Sequence, residues 1–197
     1  IDLLLQLTAA QTELRENPVR NTHHPETGLP SRQHLETQAA QAMSHAARHQ
    51  SPLSILALGF DHFDALRHEQ GDEIAGELQK RLATILTRKV RSEDFVGHFS
   101  SNELAVVSPG TPYPACEAFA NRLREAFAVA NISFRGRRLE LTVSVGVANS
   151  PVDPAKSAAS LLRLAGDRLQ TAQKAGGNRV VACVAKPLGE TPVPRLN

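Results

Sequence analysis

Residues 94–108, DFVGHFSSNELAVVS, contain the pattern that decides the fold. Two apolar arms flank the polar residues Ser100, Ser101 and Asn102, an arrangement typical of a β-hairpin. A tight hairpin joins antiparallel strands, whereas parallel strands need a long crossover between them. The stretch therefore predicts an antiparallel pair of strands within the main sheet of the chain.

Helices and strands are predicted to alternate on both sides of this hairpin. Four segments repeat apolar residues at helical spacing, namely 31–49, 72–90, 114–129 and 157–175. Three segments have strand-like apolar patterns, namely 53–61, 139–148 and 179–184. This order indicates an α/β or α+β fold, in which helices flank a mixed five-stranded sheet.

The two ends of the chain are predicted to lie outside this domain, which is expected to span residues 21–185. Residues 1–20 contain a helical pattern with leucines at coiled-coil spacing, so they form either a dimerising helix or a helix packed on its own domain. Residues 186–197 contain three prolines and are expected to be a linker or a disordered tail. Because the chain begins with Ile1 rather than Met, we expect it to be part of a longer protein.

The composition excludes several functional classes. A net charge of +2 is too small to indicate a polyanion partner, and seven Phe and one Tyr provide no stacking platform for nucleic acid. The apolar stretch 53–60 is too short to cross a bilayer, which takes about 20 residues. We therefore expect no nucleic-acid partner and no membrane insertion within this segment. The expected location is the cytoplasm, including the cytoplasmic part of a larger, membrane-anchored protein.

Five short strings share an order and spacing with one known family. They are ETGLPSR at 26–32, FDHF at 60–63, RSEDFVGHFSSNEL at 91–104, SVGVA at 144–148 and LLRLAGDRLQTAQKAGGNRV at 161–180. Together they resemble the motifs of GGDEF domains, the diguanylate cyclases. Each string alone is weak, but the ordered set covers most of the chain. The resemblance implies a central sheet related to the nucleotide cyclase palm, in agreement with the alternation of strands and helices.

The resemblance also implies that the catalytic centre is degenerate. In the family, two Mg²⁺ ions are held by the first acid of the DIDHFK motif and by the acids of GGDEF, because magnesium prefers carboxylate oxygens. The acid positions here are Gly59, Asn102 and Glu103, of which Glu103 alone carries a carboxylate, and Ser100 and Ser101 replace the two glycines of the motif. We therefore expect no catalytic residue, no bound magnesium or other cofactor, and no diguanylate cyclase activity.

Substrate-binding positions of the family are altered as well. Its phosphate-binding lysines align with Asp64 and Gln173, and Asp64 would repel a triphosphate. Its guanine-reading Asn and Asp align with Arg67 and Gly76, neither of which offers an oxygen acceptor from its side chain. Losing a base-reading hydrogen bond can cost several orders of magnitude in discrimination. The expected inactivity therefore does not depend on the metal ligands alone.

One family motif is kept. Arg91 and Asp94 preserve the RxxD pattern before the hairpin tip, and Arg122 aligns with the second arginine of the family's product-binding inhibitory site. Arginine can pair with a phosphate or with the O6/N7 edge of guanine, and a carboxylate accepts from the guanine N–H groups. The resemblance implies that these three residues bind cyclic di-GMP. The alternative is a surface ion pair between Arg91 and Asp94 beside a solvated Arg122.

Three functions follow from these observations. The first is a cyclic di-GMP receptor in bacterial second-messenger signalling, without catalysis. The second is a ligand-free dimerisation or protein-interaction module, which would act through the N-terminal signalling helix or through other signalling domains. The third is a residual diguanylate cyclase or GTP sensor that uses Glu103 and a single metal ion. The expected partners are cyclic di-GMP and a second copy of the chain.

Overall fold

The computed structural model describes residues 22–130 and 132–183. The predicted N-terminal helix at 1–20 and the proline-rich tail at 186–197 lie outside the described residues, so both stay predictions. The described helices are α1 (Arg32–His49), α2 (Phe63–Gln70), α3 (Asp72–Thr87), α4 (Tyr113–Ala128) and α5 (Ala158–Lys174). The described strands are β1 (Leu53–Phe60), β2 (Phe95–His98), β3 (Glu103–Pro109), β4 (Ser133–Phe134), β5 (Arg137–Arg138), β6 (Val143–Ser150) and β7 (Val180–Val181).

The main sheet is mixed and five-stranded, which confirms the predicted α+β fold class. Its strand order is β2-β3-β1-β6-β7, and a separate small sheet pairs β4 with β5. β6 and β7 are parallel, whereas the other neighbouring strands of the main sheet are antiparallel. The predicted hairpin is present as β2 and β3, joined by the polar tip at Ser100–Asn102.

The sheet carries an apolar core on each face, because neighbouring residues of a strand point to opposite sides. Leu56 and Leu58 of β1 belong to one core, and Ile55 and Ala57 belong to the other. Helices α3 and α4 contribute to the first core, and α1 and α5 contribute to the second. All residues of β1 are buried, as its continuous apolar sequence predicts.

Local signals account for the ends of two helices. Ser31 caps α1 by accepting a hydrogen bond from the His34 N–H, as its type and position predict. Ser157 caps α5 and forms a reciprocal capping box with Ser160. Gly176 and Gly177 follow α5 with positive φ angles of 105° and 72°, which glycine adopts without steric cost.

The structure differs from the sequence-based expectation at several elements. Strands β4 and β5 of the small sheet were not predicted. Helix α2 was not predicted, because most of its residues are polar and Phe63 is its one buried residue. Strand β6 begins at Val143 rather than at 139, since Leu139 and Leu141 pack on the core but lie outside the ladder. Strand β7 is limited to Val180–Val181 within the described residues.

Among the described residues, no helix combines the length and the apolar character needed to cross a membrane.

Candidate functional site

The three residues of the predicted ligand site line one cavity, which we call the RxxD cavity. It has a volume of about 180 Å³, and its lining includes Lys89, Arg91, Asp94, Ser108, Phe119 and Arg122. The loop after α3, the end of β3 and one side of α4 supply these residues. Folding therefore brings Arg122 next to the RxxD motif, from which about thirty residues separate it in sequence.

Arg91 and Asp94 form a turn rather than an ion pair. The Arg91 N–H donates to Asp94 Oδ2 at 2.9 Å, and the Asp94 N–H donates to the Arg91 carbonyl at 3.2 Å. Within the described part of the chain, neither the Arg91 nor the Arg122 guanidinium is ion-paired with a carboxylate. The surface pair that the alternative predicts between Arg91 and Asp94 is therefore not present among the described residues, whereas Arg122 is exposed to solvent, as that alternative predicts.

Arg122 lies beside an aromatic ring. Its guanidinium carbon is 5.8 Å from the centre of the Phe119 ring, one turn earlier on α4. This contact is a cation–π arrangement, which holds the exposed guanidinium over the cavity wall. Sequence reasoning did not identify Phe119 or Lys89, because neither belongs to the RxxD pattern.

The floor of the RxxD cavity is polar and buried. Ser108 is 2% exposed and Thr111 is 7% exposed, and both line the cavity. Ser108 interrupts the apolar run LAVVS of β3, which is the one sequence signal for this floor. Cys116 is buried nearby on α4, and this burial raises the pKa of its thiol to about 11, so the thiol stays uncharged at neutral pH.

The hairpin tip, where the family places its catalytic acids, is held by its own hydrogen bonds. Ser100 Oγ donates to Glu103 Oε2 at 2.8 Å, and Asn102 Oδ1 lies farther from the same hydroxyl at 3.3 Å. Gln79 Nε2 donates to the Ser101 carbonyl at 2.5 Å. Gly59 pairs with Glu103 across β1 and β3, and a Cβ on Gly59 would lie 3.2 Å from Glu103 Cγ. The side chain of Glu103 therefore occupies part of the space that an acid at position 59 would need.

The donor set at this tip does not fit a two-magnesium centre. Glu103 contributes the one carboxylate of the tip, and Ser100 and Asn102 contribute neutral oxygens. Asp61 follows β1, where its Oδ2 accepts from Thr142 Oγ1 at 2.6 Å and from the Asn178 N–H at 2.7 Å, while its buried Oδ1 has no hydrogen-bond partner among the described residues. In residues 22–130 and 132–183, no three His, Cys, Asp or Glu side chains are grouped so that they could hold a metal ion.

A second cavity, of about 570 Å³, lies beside α3 and the small sheet. Sequence reasoning expected no carboxylate here, because the position of the family's aspartate is Gly76. The structure instead places Glu26 over Gly76, since a Cβ on Gly76 would lie 2.6 Å from Glu26 Oε2. Arg67, at the family's asparagine position, is paired with Asp72 at 2.6 Å. A carboxylate from the loop before α1 thus stands at the position where the sequence alignment indicated none.

Comparisons with known proteins agree with this architecture. The chain is 27% identical over 172 residues to Diguanylate cyclase DgcP of Pseudomonas aeruginosa, an alignment that covers 87% of this chain and 25% of DgcP. It is 30% identical over 166 residues to Probable diguanylate cyclase DgcC of Escherichia coli, which covers 84% of this chain and 44% of DgcC. The chain therefore spans less than half the length of either relative.

A solved structure and a family model cover most of the described residues. The GGDEF domain of DgcB from Caulobacter crescentus, solved in complex with c-di-GMP, superimposes with a TM-score of 0.76 at 21% identity, over 82% of this chain and 95% of that one. This likeness shows the fold. The model for "Diguanylate cyclase, GGDEF domain" matches residues 21–179, which is most of the chain. On this match, the chain belongs to the GGDEF domain family.

Proposed function

We propose that this chain is a catalytically inactive GGDEF domain that binds cyclic di-GMP as a receptor in bacterial second-messenger signalling. The observation that carries the proposal is the convergence of Arg91, Asp94 and Arg122 on one cavity. Membership of the GGDEF family supports cyclic di-GMP as the ligand, and the GGDEF domain of DgcB was solved in complex with c-di-GMP.

The chemistry of the RxxD cavity suits this ligand. Arg91 and Arg122 carry no competing ion pair among the described residues, so each can form a forked contact with a phosphate or with the O6/N7 edge of guanine. Asp94 has one carboxylate oxygen engaged by the Arg91 N–H and the other without a partner. That second oxygen can accept from the N1–H and N2–H₂ groups of guanine.

The hairpin tip supports the absence of catalysis. The protein takes little part in the covalent chemistry that joins two GTP molecules. Catalysis therefore depends on positioning the substrates and on neutralising their phosphate charge. The tip offers Glu103 as its one acid, and Ser100 engages that carboxylate in a hydrogen bond. We therefore expect this chain to lack the activity that the names of DgcP and DgcC describe. A homodimer formed through the N-terminal helix and a cytoplasmic location belong to the same proposal and rest on sequence.

Isothermal titration with cyclic di-GMP tests the receptor function. We expect micromolar or tighter binding by the 197-residue chain. Arg91→Ala should weaken binding by about tenfold or more, since hydrogen bonds to charged groups contribute about 1.5–3 kcal/mol. Arg88→Ala is the matched control, because it removes an exposed cation from the same loop that does not line the cavity. Absence of binding by the wild-type chain, or equal binding by Arg91→Ala, would reject the proposed receptor site.

A parallel incubation with GTP and Mg²⁺ tests the absence of catalysis. We expect no cyclic di-GMP to form, at protein concentrations at which an active diguanylate cyclase run beside it consumes its GTP. Clear synthesis that depends on the purified chain would overturn this part of the proposal and leave the binding result standing.

GTP binding without turnover is a second candidate function, and the carboxylate of Glu26 favours it. Glu26 lines the second cavity, where it has no ion pair among the described residues. A carboxylate can accept from guanine N1–H and N2–H₂ together, whereas adenine has an acceptor nitrogen at N1 and no amino group at C2. This candidate predicts that GTP binds more tightly than ATP and that Glu26→Gln weakens GTP binding, while Glu125→Gln outside the cavity does not. Equal binding of GTP and ATP would reject it.

A further inference from the structure

Two histidines lie side by side on the surface of α1, outside the RxxD cavity and the hairpin tip. His45 and His49 are four positions apart, so both stand on the same side of the helix. Both residues are exposed, and the centres of their rings are 4.2 Å apart with 33° between the ring planes. Within the described residues, neither ring has a hydrogen-bond partner, so no bond competes for the ring nitrogens.

This spacing lets two imidazoles bind a single metal ion from one helix. A metal–nitrogen bond to histidine is about 2.0–2.1 Å long, so an ion held by two imidazoles brings the bound nitrogens within about 4 Å of each other. Rings whose centres are already 4.2 Å apart reach that geometry by turning their side chains, without a change in the backbone. Histidines at i and i+4 of a helix bind zinc in metalloproteases by the same arrangement.

The position of the pair at the end of α1 favours a cation. His49 is the last residue of the helix, and His45 lies one turn earlier. The C-terminal end of a helix carries a partial negative charge, because its last carbonyls have no partner within the helix. The cation nearest in sequence, Arg48, is about 100° around the helix from His49. It lines a surface groove on that other side of α1, together with Thr37, Ala40, Gln41 and Ser44.

We propose that His45 and His49 form a two-ligand site for a divalent late first-row transition ion, with water completing its coordination. Imidazole is a preferred ligand of Ni²⁺, Cu²⁺ and Zn²⁺, whereas Mg²⁺ and Ca²⁺ prefer oxygen. Such a site needs no third side chain, and the described residues do not group one with the pair. The site shares no residue with the RxxD cavity, so it is independent of the proposed receptor function.

The bound ion should stabilise the folded chain. It would join two successive turns at the end of α1, and the unfolded chain does not hold the same two imidazoles together. An ion that binds the folded form more tightly than the unfolded form shifts the equilibrium toward the folded form. We expect Ni²⁺ to raise the midpoint of thermal unfolding and EDTA to reverse the rise. An unchanged midpoint in saturating Ni²⁺ would show that the two histidines are a solvated helix face and no metal site.

Titration of the chain, prepared without an affinity tag, with NiCl₂ tests the site directly. Ni²⁺ is preferred as the probe because Cu²⁺ oxidises free thiols, and the chain has Cys183. We expect one ion to bind per chain with micromolar affinity. His45→Gln and His49→Gln should each weaken binding by at least about tenfold, since even loss of an outer-shell partner costs a metal site about 10–100-fold in affinity. His68→Gln, which removes an exposed histidine of α2, should bind Ni²⁺ like wild type.

The double variant Ala47→His with His49→Gln is the matched control for spacing. Residue 47 is exposed, and the variant keeps all 8 histidines of the chain in number. The two imidazoles are then two positions apart, so they do not face each other on the helix. This variant should bind Ni²⁺ no more tightly than His49→Gln does. Wild-type affinity in the double variant or in His45→Gln would reject the site, and so would the absence of Ni²⁺ binding by the wild-type chain.

Discussion

Arg168 and Asp153 form the most buried ion pair of the described residues. Their side chains are 16% and 1% exposed, and two N–H groups of Arg168 donate to the two carboxylate oxygens at 2.7 Å. Arg168 also donates to the Val147 carbonyl at 2.6 Å, so it ties α5 to β6. Burial acts to raise the pKa of Asp153, but hydrogen bonds from Arg168 and from the Asn149 N–H outweigh it and keep that pKa below its ordinary value.

Arg168→Ala should destabilise the domain by about 3–5 kcal/mol, because it leaves a buried carboxylate without its cation. The measurement is the free energy of unfolding in urea at neutral pH. Arg81→Ala is the control, since Arg81 pairs with Glu77 at an exposed position and such pairs contribute about 0–1 kcal/mol. Equal losses in the two variants would show that the Arg168 pair is not special.

His98 is a buried histidine at the contact between β2 and the loop before α1. It is 4% exposed, its ring stacks on His24 with centres 4.1 Å apart, and its Nε2 lies 2.7 Å from Thr27 Oγ1. Burial, with a further contribution from His24, lowers the pKa of His98 from its ordinary value of 6.5. The folded chain therefore binds the His98 proton less readily than the unfolded chain does.

The free energy of unfolding should consequently fall as the solution is acidified below about pH 6.5. The contribution of His98 is fully present above that pH and is lost as the pH falls through its folded value, because the unfolded chain takes up the proton first. Urea unfolding at pH 7 and pH 5 should show a smaller loss for His98→Gln than for wild type. The exposed His68 supplies the control, and a slope for His98→Gln equal to that of His68→Gln would contradict the argument.

At the scale of elements, the packing of α5 on β6 depends on Gly146. A Cβ at this position would lie 2.0 Å from the Ala165 carbonyl oxygen and 2.4 Å from the Leu169 nitrogen, both in the backbone of α5. A backbone cannot move aside as a flexible side chain can, so the two elements would have to separate.

Gly146→Ala should therefore destabilise the domain by about 3 kcal/mol or more, at or above the upper end of ordinary overpacking in a core. Circular dichroism and urea unfolding provide the measurement. Ser144→Ala, on the same strand and the same face, adds no volume and should keep at least wild-type stability. A Gly146→Ala variant as stable as wild type would mean that α5 does not approach β6 this closely in solution.

The elements also show where sequence reasoning succeeds. Long periodic segments such as α3 and α5, and the apolar β1, follow from spacing alone. Their buried residues recur at every third or fourth position in the helices and at successive positions in β1. Helix α2 and the start of β6 do not follow from the spacing of apolar residues. Leu139 and Leu141 alternate like strand residues, but the Leu139 N–H donates to the Ile132 carbonyl, next to β4 of the small sheet, rather than to a strand of the main sheet. Hydrogen-bond partners outside the segment decide such positions.

At the scale of the whole molecule, the candidate site was predictable as far as it follows a linear motif. Arg91 and Asp94 are found by their spacing, and Arg122 by alignment with the family. Lys89, Ser108 and Phe119 join them through packing alone, since nothing in their spacing connects them. The sequence did not indicate that the Glu26 carboxylate lies over Gly76, because fifty residues separate the two positions in the chain.

The proposed absence of catalysis depends on several positions together, so restoring the metal ligands alone should not produce diguanylate cyclase activity. Gly59→Asp combined with Asn102→Asp would place three carboxylates at the hairpin tip together with Glu103. In EDTA the variant should be less stable than wild type by about 1–3 kcal/mol, because the new Cβ crowds Glu103 Cγ at 3.2 Å. Added Mg²⁺ should recover part of that stability, since the ion binds the folded tip and relieves repulsion among the acids. The control Gly59→Asn with wild-type Asn102 adds similar bulk without charge and should show no response to Mg²⁺.

GTP should still yield no cyclic di-GMP, because Ser100, Ser101, Asp64 and Gln173 remain where the family has glycines and lysines. Synthesis by the double variant would locate the whole defect in the metal ligands, and it would contradict the view that this active site has been lost at several independent positions.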